Sequence, residues 1–364
     1  METLSVPGIA VTLNPVGGML DQVAIERDGR TLRPFHRAPW IDRPAEIPAD
    51  TAPHLRHLAG DFFCAPFVTS DIEPAPNHGW PANGLWALQT SATAPDGALT
   101  AEFGLDHTIL GATLRKVIVL RPGHPVVYQR HVFAGGNGAV PVGHHAMLHV
   151  PGGARLSFSK KDFGATPATP QESDPARGRS ILAHPQRVAD LSAIKLADGG
   201  TVDARRYPFA DGHEDFCSLF DPPAAQLGWS AALAPADGFL FFALKDAQRL
   251  PQTSLWFSNA GRFYAPWLSR HRAVLGIEET CSHFADGHRA SIAPNELSAA
   301  GYRTAVALDT YGETTISYAC GAIPAEPGWT EVADISIGDS CLAISDVGGG
   351  SVSVPFDVGF FVEH

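Results

Sequence analysis

The stretch LRKVIVLRPGHPVVYQRHVF, residues 114–133, decides the fold class. Its two halves, 114–120 and 125–133, are rich in β-branched and aromatic residues and flank a Pro-Gly turn. Two such runs around a Pro-Gly dipeptide indicate an antiparallel β-hairpin. Similar runs recur on both sides of this hairpin, whereas the best candidate for a helix, residues 295–300, is short. Strands therefore dominate the predicted secondary structure.

Composition extends this prediction to the whole chain. The 364 residues include 36 glycines and 30 prolines, which favours strands joined by many turns over long helices. Hydrophobic residues make up 45% and charged residues 18%, which is enough apolar material for a large core and excludes disorder. We predict an all-β fold in which residues 1–364 form one large antiparallel β-sandwich domain. Residues 164–179, rich in Pro, Thr and Asp, are expected to form a surface loop rather than a domain linker.

Several classes of protein are excluded. The chain has no βαβ rhythm and no glycine-rich phosphate loop, which argues against a nucleotide-binding α/β enzyme. The formal charge of −12 disfavours nucleic acids and anionic membranes as partners. No apolar stretch is long enough to span a bilayer, and the first residues lack the pattern of a signal peptide. Five widely spaced cysteines without a C-x-x-C pair are typical of a reduced compartment, so we expect a cytoplasmic protein. Its oligomeric state is left open.

The first candidate site combines a histidine with two tryptophans. His78 precedes Gly79, and Trp80 and Trp86 follow closely. A glycine beside the histidine lets a ligand or another backbone approach the imidazole, and indole rings can stack on the C–H faces of a sugar. The alternative is a turn in which His78 caps backbone groups and both tryptophans belong to the core.

Three histidines lie in the sequence GHHAMLHV, residues 143–150. On a strand, His145, Met147 and His149 share one face, while His144 points to the other. His145 and His149 would then be about 13 Å apart, too far to share a metal ion. Because imidazole titrates near neutrality, we favour acid–base catalysis by one of these histidines over a metal site. A shift of one residue in register exchanges the two faces, so the choice between His144 and His145 stays open.

Two carboxylates complete the set of candidates. Glu278 ends the apolar run VLGIE, residues 274–278, where burial is costly unless the group is paired or functional. Partial burial would raise its pKa toward the range of a general base. Alternatively, Glu278 accepts hydrogen bonds from a turn or pairs with Arg262. Asp215, in the run DGHEDF at 211–216, either accepts hydrogen bonds from hydroxyl groups or belongs to an ordinary polar turn.

The order of these clusters resembles the galactose mutarotase-like (aldose 1-epimerase) superfamily over roughly residues 13–287. That family carries a His-Gly pair in its first third, a His on a central strand, an Asp in the middle and a Glu toward the C-terminal side. The corresponding positions here are His78 with Gly79, His145, Asp215 and Glu278, and the segment FFCAPF at 62–67 looks like the family's apolar Pro-Phe stretch.

The resemblance implies a β-sandwich enzyme that interconverts sugar anomers by opening the ring. Glu278 would be the base and His145 the acid, and such groups contribute about 10²–10⁴-fold each. The sugar would be bound by the remaining candidates, which are His78, Asp215, His144, Trp80, Trp86 and Arg262. The resemblance implies no metal and no other cofactor, and a small-molecule carbohydrate as the partner.

The chain also departs from the family pattern. The family's Arg after the Pro-Phe element is absent from VTSD at 68–71, Met147 and Leu148 replace aromatic residues after the histidine, and Glu279 follows the glutamate. Two other functions are therefore considered. One is a carbohydrate-binding or sugar-sensing protein of the same fold without catalysis. The other is a glycoside-processing lyase or hydrolase on a related β-sandwich.

Overall fold

The structure is a computed structural model and describes residues 1–361. In chain order its strands are β1 (Glu2–Val6), β2 (Ile9–Asn14), β3 (Met19–Arg27), β4 (Arg30–Leu32), β5 (Phe63–Cys64), β6 (Trp86–Thr93), β7 (Leu99–Leu105), β8 (Thr113–Leu120), β9 (Val126–Ala134), β10 (Ala139–Val140), β11 (Val142–His149), β12 (Ala154–Phe158), β13 (Phe163–Thr166), β14 (Gln186–Val188), β15 (Ile194–Lys195), β16 (Thr201–Val202), β17 (Arg206–Tyr207), β18 (His213–Phe220), β19 (Leu227–Ala234), β20 (Phe239–Asp246), β21 (Gln252–Asn259), β22 (Val274–Cys281), β23 (Val306–Ala307), β24 (Glu313–Pro324), β25 (Val332–Ile337), β26 (Cys341–Asp346) and β27 (Ser351–Pro355).

Helices are few and short. The α-helices are α1 (Pro53–Arg56), α2 (His288–Ile292) and α3 (Glu296–Ala299), and 3-10 turns occur at Pro44–Glu46, Trp80–Ala82, Leu191–Ala193, Pro235–Asp237 and Val358–Phe361. The predicted short helix at 295–300 is α3, which begins after Asn295 because that side chain accepts a hydrogen bond from the backbone of Ser298. Within residues 1–361, no helix is long and apolar enough to cross a membrane.

Two large antiparallel sheets form the body of the molecule. One has nine strands in the order β17-β12-β19-β20-β24-β9-β8-β7-β6, and the other has seven in the order β14-β13-β18-β21-β22-β11-β5. The predicted hairpin is formed by β8 and β9, which pair antiparallel with Thr113 opposite Ala134. The prediction of an all-β antiparallel sandwich is therefore confirmed.

The seven-stranded sheet is buried on both faces. Alternation along a strand sends neighbouring residues to opposite sides, and in β11 Ala146 and Leu148 belong to the core between the large sheets. Met147, between them, belongs to a second core on the outer side, together with Trp256 of β21 and Trp267. Every residue of β18, β21 and β22 is buried as a result. This outer side, covered by loops, carries the cavity described below.

The segment predicted as a surface loop, residues 164–179, begins later than expected and is only partly exposed. Residues 164–166 belong to β13, and the irregular segment runs from 167 to 185. Part of it is exposed, but the side chain of Glu172 retains only 8% of its accessible surface because it packs against Arg262. We call residues 167–185 the cover loop. That residues 1–364 form one domain stays a prediction, and residues 362–364 lie outside the described residues.

Candidate functional site

A cavity of about 640 Å³ opens on the outer side of the seven-stranded sheet. Its floor is made by side chains of three neighbouring strands, β21, β22 and β11, together with Phe216 of β18. Its rim is made by loops, including residues 48–58 and part of the cover loop. The aromatic and imidazole groups that line it are Phe62, Phe67, Phe216, Trp256, Tyr264, Trp267, His54, His78 and His145.

His145 and Glu278 meet at the floor of this cavity. They lie directly opposite each other on the antiparallel strands β11 and β22, and such opposed side chains are close neighbours on one sheet face. The Nε2 atom of His145 is 3.1 Å from Oε1 of Glu278. The two residues are only 6% and 2% exposed. Residues far apart in the sequence therefore form a close acid–base pair.

The imidazole of His145 is held in place from two sides. Its ring stacks on Phe62 with the centroids 4.5 Å apart and an angle of 16° between the planes. Its backbone N–H donates to Oδ1 of Asp61 at 3.0 Å. Asp61 is itself fully buried and also accepts from Nδ1 of His144 and from Nε2 of Gln129. The pair is therefore preorganised by groups beneath it.

Burial moves the pKa values of the two partners in opposite directions. Desolvation raises the pKa of Glu278 well above its usual range and lowers the pKa of His145 to about 3, because a low-dielectric surrounding disfavours the charged form of either group. Both shifts favour the uncharged forms of the pair, which are a protonated carboxyl group and a neutral imidazole.

Arg262 borders the cavity between two carboxylates. Its Nε atom donates to Oε1 of Glu172 at 2.6 Å, and Nη1 lies 3.3 Å from Oε1 of Glu214. Its guanidinium lies 4.6 Å from the ring centroid of Trp267. Burial alone would lower the pKa of Arg262, but Glu214 and Glu172 raise it, so the group stays charged. Arg262 is thus paired with Glu172 and Glu214 and not with Glu278.

His78 stands at the side of the cavity on a strained turn. Its φ is 65°, and its backbone N–H donates to the carbonyl of Val68 at 2.6 Å. A Cβ atom on Gly79 would lie 1.9 Å from the carbonyl oxygen of Ala65, so only glycine fits there. The close approach anticipated beside His78 is therefore that of another backbone. Its ring lies edge-on to that of His145 at 5.5 Å.

The overall architecture matches solved structures at low sequence identity. A galactose mutarotase related enzyme from Lactobacillus acidophilus aligns with a TM-score of 0.52 and 11% identity, covering 90% of this chain and 98% of that one. An aldose epimerase homologue from Caenorhabditis elegans aligns with a TM-score of 0.52 and 11% identity over 88% of this chain and 97% of its own. The chain has the galactose mutarotase-like fold.

The same fold occurs in a larger context as well. A TPR-domain containing protein from Parabacteroides distasonis aligns with a TM-score of 0.56 and 12% identity over 93% of this chain, but over only 48% of its own length. No protein-family model and no curated protein matches the sequence. The resemblance noted in the sequence is thus confirmed at the level of the fold.

Within this mutarotase-like fold, two predicted sugar-binding residues point away from the cavity. Asp215 is fully buried on the opposite face of β18, where it accepts from the backbone N–H groups of Ile181 and Leu182 and from Nδ1 of His213. Its carboxylate fixes the end of the cover loop. The structure thus places Asp215 away from the cavity, and Glu214, its neighbour, faces the cavity side and contacts Arg262.

His144 is the second residue that faces the other way. Its ring is fully buried, stacks on Tyr318 at 4.1 Å and donates from Nδ1 to Oδ2 of Asp61. The choice left open between His144 and His145 is thus decided in favour of His145, because Met147, two residues further on, shares the outer face.

The two predicted tryptophans lie outside the cavity. Trp80 stacks on His107 with the ring centroids 3.7 Å apart. Trp86 is 3% exposed, belongs to the core between the large sheets and donates from Nε1 to the carbonyl of Pro81. The tryptophans that do line the cavity are Trp256 and Trp267.

Sequence reasoning missed most of the loop contributions. Trp256 lies in the run TSLWF, 253–257, whose pattern predicts a strand and carries no motif that marks a site. Alternation along that strand, with Leu255 and Phe257 in the inner core, was a signal that could have placed Trp256 on the other face. No local pattern pointed to His54, which lines the cavity from the short helix α1, or to Glu172, which contacts Arg262 at its border.

Proposed function

We propose that this protein interconverts the anomers of an aldose by opening and closing the sugar ring. The observation that carries this proposal is the contact of 3.1 Å between His145 and Glu278 on the floor of an aromatic cavity. The mutarotase-like fold supports it as an analogy, since a fold alone does not define chemistry.

Anomer exchange requires two proton transfers, one at each of the two oxygen atoms bonded to the anomeric carbon C1. The anomeric hydroxyl oxygen and the ring oxygen are both bonded to C1, so they lie closer together than two hydrogen-bonded atoms. A donor and an acceptor that touch each other can therefore reach both oxygens at once. A sugar that enters between His145 and Glu278 replaces their mutual contact by one hydrogen bond from each residue to an oxygen of the sugar.

The protonation of the pair suits this exchange. The carboxyl group of Glu278 gives its proton to the ring oxygen, while Nε2 of His145 takes the proton of the anomeric hydroxyl, and the C1–O bond of the ring breaks to leave an aldehyde. After rotation about C1–C2, the imidazolium returns its proton to the aldehyde oxygen, and the carboxylate recovers its own from the ring hydroxyl. The raised pKa of Glu278 and the lowered pKa of His145 favour the neutral forms from which this sequence of transfers starts. The roles are the reverse of those that the family resemblance implies.

The remaining cavity groups suit a polyhydroxylated ring. Trp256 and Trp267 offer apolar surface to the C–H groups of the sugar. Arg262 offers N–H donors, and the positive charge of its guanidinium is balanced by Glu172 and Glu214. Burial lowers the pKa of His78 well below its usual range, so it too meets the sugar as a neutral group. A small-molecule carbohydrate is the partner that we propose.

The proposal is tested by exchange NMR of anomer interconversion over a panel of aldoses, with the wild-type protein and Glu278→Gln. We expect acceleration of one or a few sugars and a loss of about 10²–10⁴-fold in the variant, while the dissociation constant of the sugar changes little. Sugar binding without acceleration would indicate a carbohydrate-binding protein. Cleavage of oligosaccharides in a parallel panel, with no anomer exchange, would indicate a glycoside-processing enzyme.

A further inference from the structure

The side-chain amide of Asn83 is fixed by four contacts. Its Nδ2 atom donates to the carbonyl oxygens of Asn77 at 2.8 Å and Gly79 at 2.7 Å. Its Oδ1 atom accepts from the backbone N–H of His54 at 3.0 Å and lies 3.0 Å from the ring Nδ1 of His54. Two carbonyl oxygens require a donor and a backbone N–H requires an acceptor, so the amide has only one possible orientation.

This orientation determines the tautomer of His54. Because Oδ1 of Asn83 carries no hydrogen, Nδ1 of His54 must carry one, and the neutral ring then presents a lone pair at Nε2. His54 is 4% exposed, and burial lowers its pKa to about 4. The ring is therefore neutral at physiological pH, with a donor on one side and an acceptor on the other.

The acceptor nitrogen belongs to a residue that lines the cavity. Within residues 1–361, Nε2 of His54 has no hydrogen-bond partner in the protein. The ring lies edge-on to that of His78, with 5.0 Å between the centroids, and His78 in turn lies beside His145. The free lone pair is thus close to the reacting pair but is not part of it.

We propose that His54, held in one tautomer by Asn83, is a specificity-determining residue whose Nε2 accepts a hydrogen bond from one hydroxyl group of the substrate. This inference rests on the proposed function for the nature of the substrate. A fixed acceptor selects for a hydroxyl group at that position. It disfavours a deoxy sugar, which leaves the lone pair unsatisfied, and a carboxylate or phosphate oxygen, which has no proton to give.

The test is a cycle of variants and substrate analogues. Anomer exchange and binding are measured for the preferred aldose and for each of its monodeoxy analogues, with the wild-type protein, His54→Phe and His54→Gln. His57→Phe is the matched control, since His57 is half-buried in the same segment and does not line the cavity. Circular dichroism and thermal unfolding verify that each variant is folded.

We expect the wild-type protein to lose about three- to tenfold in kcat/KM on one monodeoxy analogue, the effect of one neutral hydrogen bond. His54→Phe should lose the same factor on the parent aldose and no further factor on that analogue. His54→Gln, which keeps an acceptor oxygen, should recover part of the discrimination, and His57→Phe should behave as the wild-type protein does.

An equal loss on the parent sugar and on every analogue would overturn the inference, because it would mark His54 as a purely structural group. Unchanged discrimination in His54→Phe would overturn it as well. If the protein binds aldoses without accelerating exchange, the proposed function fails, and the same cycle measured by binding alone still decides the role of His54. A protein that binds no aldose overturns both.

Discussion

At the scale of single residues, the charge state of the His145–Glu278 pair determines what the cavity can do. A carboxylate and an imidazolium would attract each other, but their burial favours the neutral forms. Glu279, the next residue, has a different environment, because a cation lies beside it. It faces the core between the sheets, and its carboxylate lies 2.6 Å from Nζ of Lys245 while accepting from Ser230 and Thr253. Glu279 is thus paired with a buried cation and two hydroxyl groups, whereas Glu278 has no such cation beside it within residues 1–361.

The neutral pair predicts an unusual pH dependence. Catalysis requires the pair to hold one exchangeable proton. Above the raised pKa of Glu278 the pair loses this proton, and below the pKa of His145, about 3, it gains a second one. We expect kcat for anomer exchange to stay level from pH 7 down to pH values at which the protein is still folded, and to fall only on the alkaline side. Exchange NMR, corrected for the uncatalysed rate, measures this profile.

A rate that falls as the pH drops from about 7 to about 5 would contradict this charge assignment, because it would show an imidazole that titrates near its ordinary value. Circular dichroism at each pH serves as the control for unfolding.

At the scale of elements, alternation along strands explains which candidate residues face the cavity. The strand character of residues 143–150 and 274–278 was evident from sequence, and with it the possibility that His145 and Glu278 share a face. The register of DGHEDF was not, because no local signal tells which of two adjacent acidic residues faces outward. In the structure Asp215 faces away from the cavity, and Glu214 lies on the cavity side.

The cover loop is the element that we expect to control substrate affinity. Glu172 attaches it to the cavity wall by accepting from Arg262 at 2.6 Å and from the hydroxyl of Tyr264 at 3.1 Å. Glu172→Gln should weaken this attachment, raise KM about three- to tenfold and change kcat less, since the loop does not touch the reacting pair. Steady-state exchange NMR and hydrogen exchange of residues 167–180 measure the two effects.

Glu26→Gln is the control for Glu172→Gln, because Glu26 is an exposed carboxylate on β3 away from the cavity. Equal KM values for Glu172→Gln and the wild-type protein, together with unchanged amide exchange in the loop, would show that this contact does not hold the cover loop.

At the scale of the whole molecule, the sheet nearest the C-terminus adds a layer outside the two large sheets. The small sheet β25-β26-β27 covers the outer face of the nine-stranded sheet through a third apolar core. Phe356, which follows β27, is 2% exposed and packs 5.3 Å from the ring of Tyr128 on the hairpin strand β9. Asp357 adds a bond of 2.6 Å between its Oδ2 and Nη2 of Arg121. The C-terminal sheet is therefore joined to the segment that decides the fold.

This attachment predicts that the chain unfolds as one cooperative unit. Phe356→Ala should lower the free energy of unfolding by about 3–5 kcal/mol, the cost of removing a buried phenyl ring, and should shift a single transition. Urea unfolding followed by tryptophan fluorescence and by circular dichroism measures it. Phe263→Ala, at a side chain that is 42% exposed, is the control and should change stability by no more than about 0.5 kcal/mol. Two separate transitions would instead indicate two domains.

The cavity as a whole could not be predicted, in contrast to the fold. Alternation and turns are local signals, so they predicted strands such as β8 and β9. The rim unites segments that are distant in sequence, with His54, Gln171 and Trp267 brought together by tertiary packing. Tertiary contacts of this kind leave no periodic trace in the chain.

The most direct test of catalysis by the His145–Glu278 pair compares two histidines on the same face of the same strand. His145 contacts Glu278, whereas His149, four residues further along β11, is exposed and lies outside the cavity. We would measure the exchange rate of the best aldose with the wild-type protein, His145→Gln and His149→Gln. We expect a loss of about 10²-fold or more in His145→Gln and a rate within about twofold of wild type in His149→Gln. A His145→Gln protein that is folded and exchanges anomers as fast as the wild-type protein would contradict the proposed role of the pair.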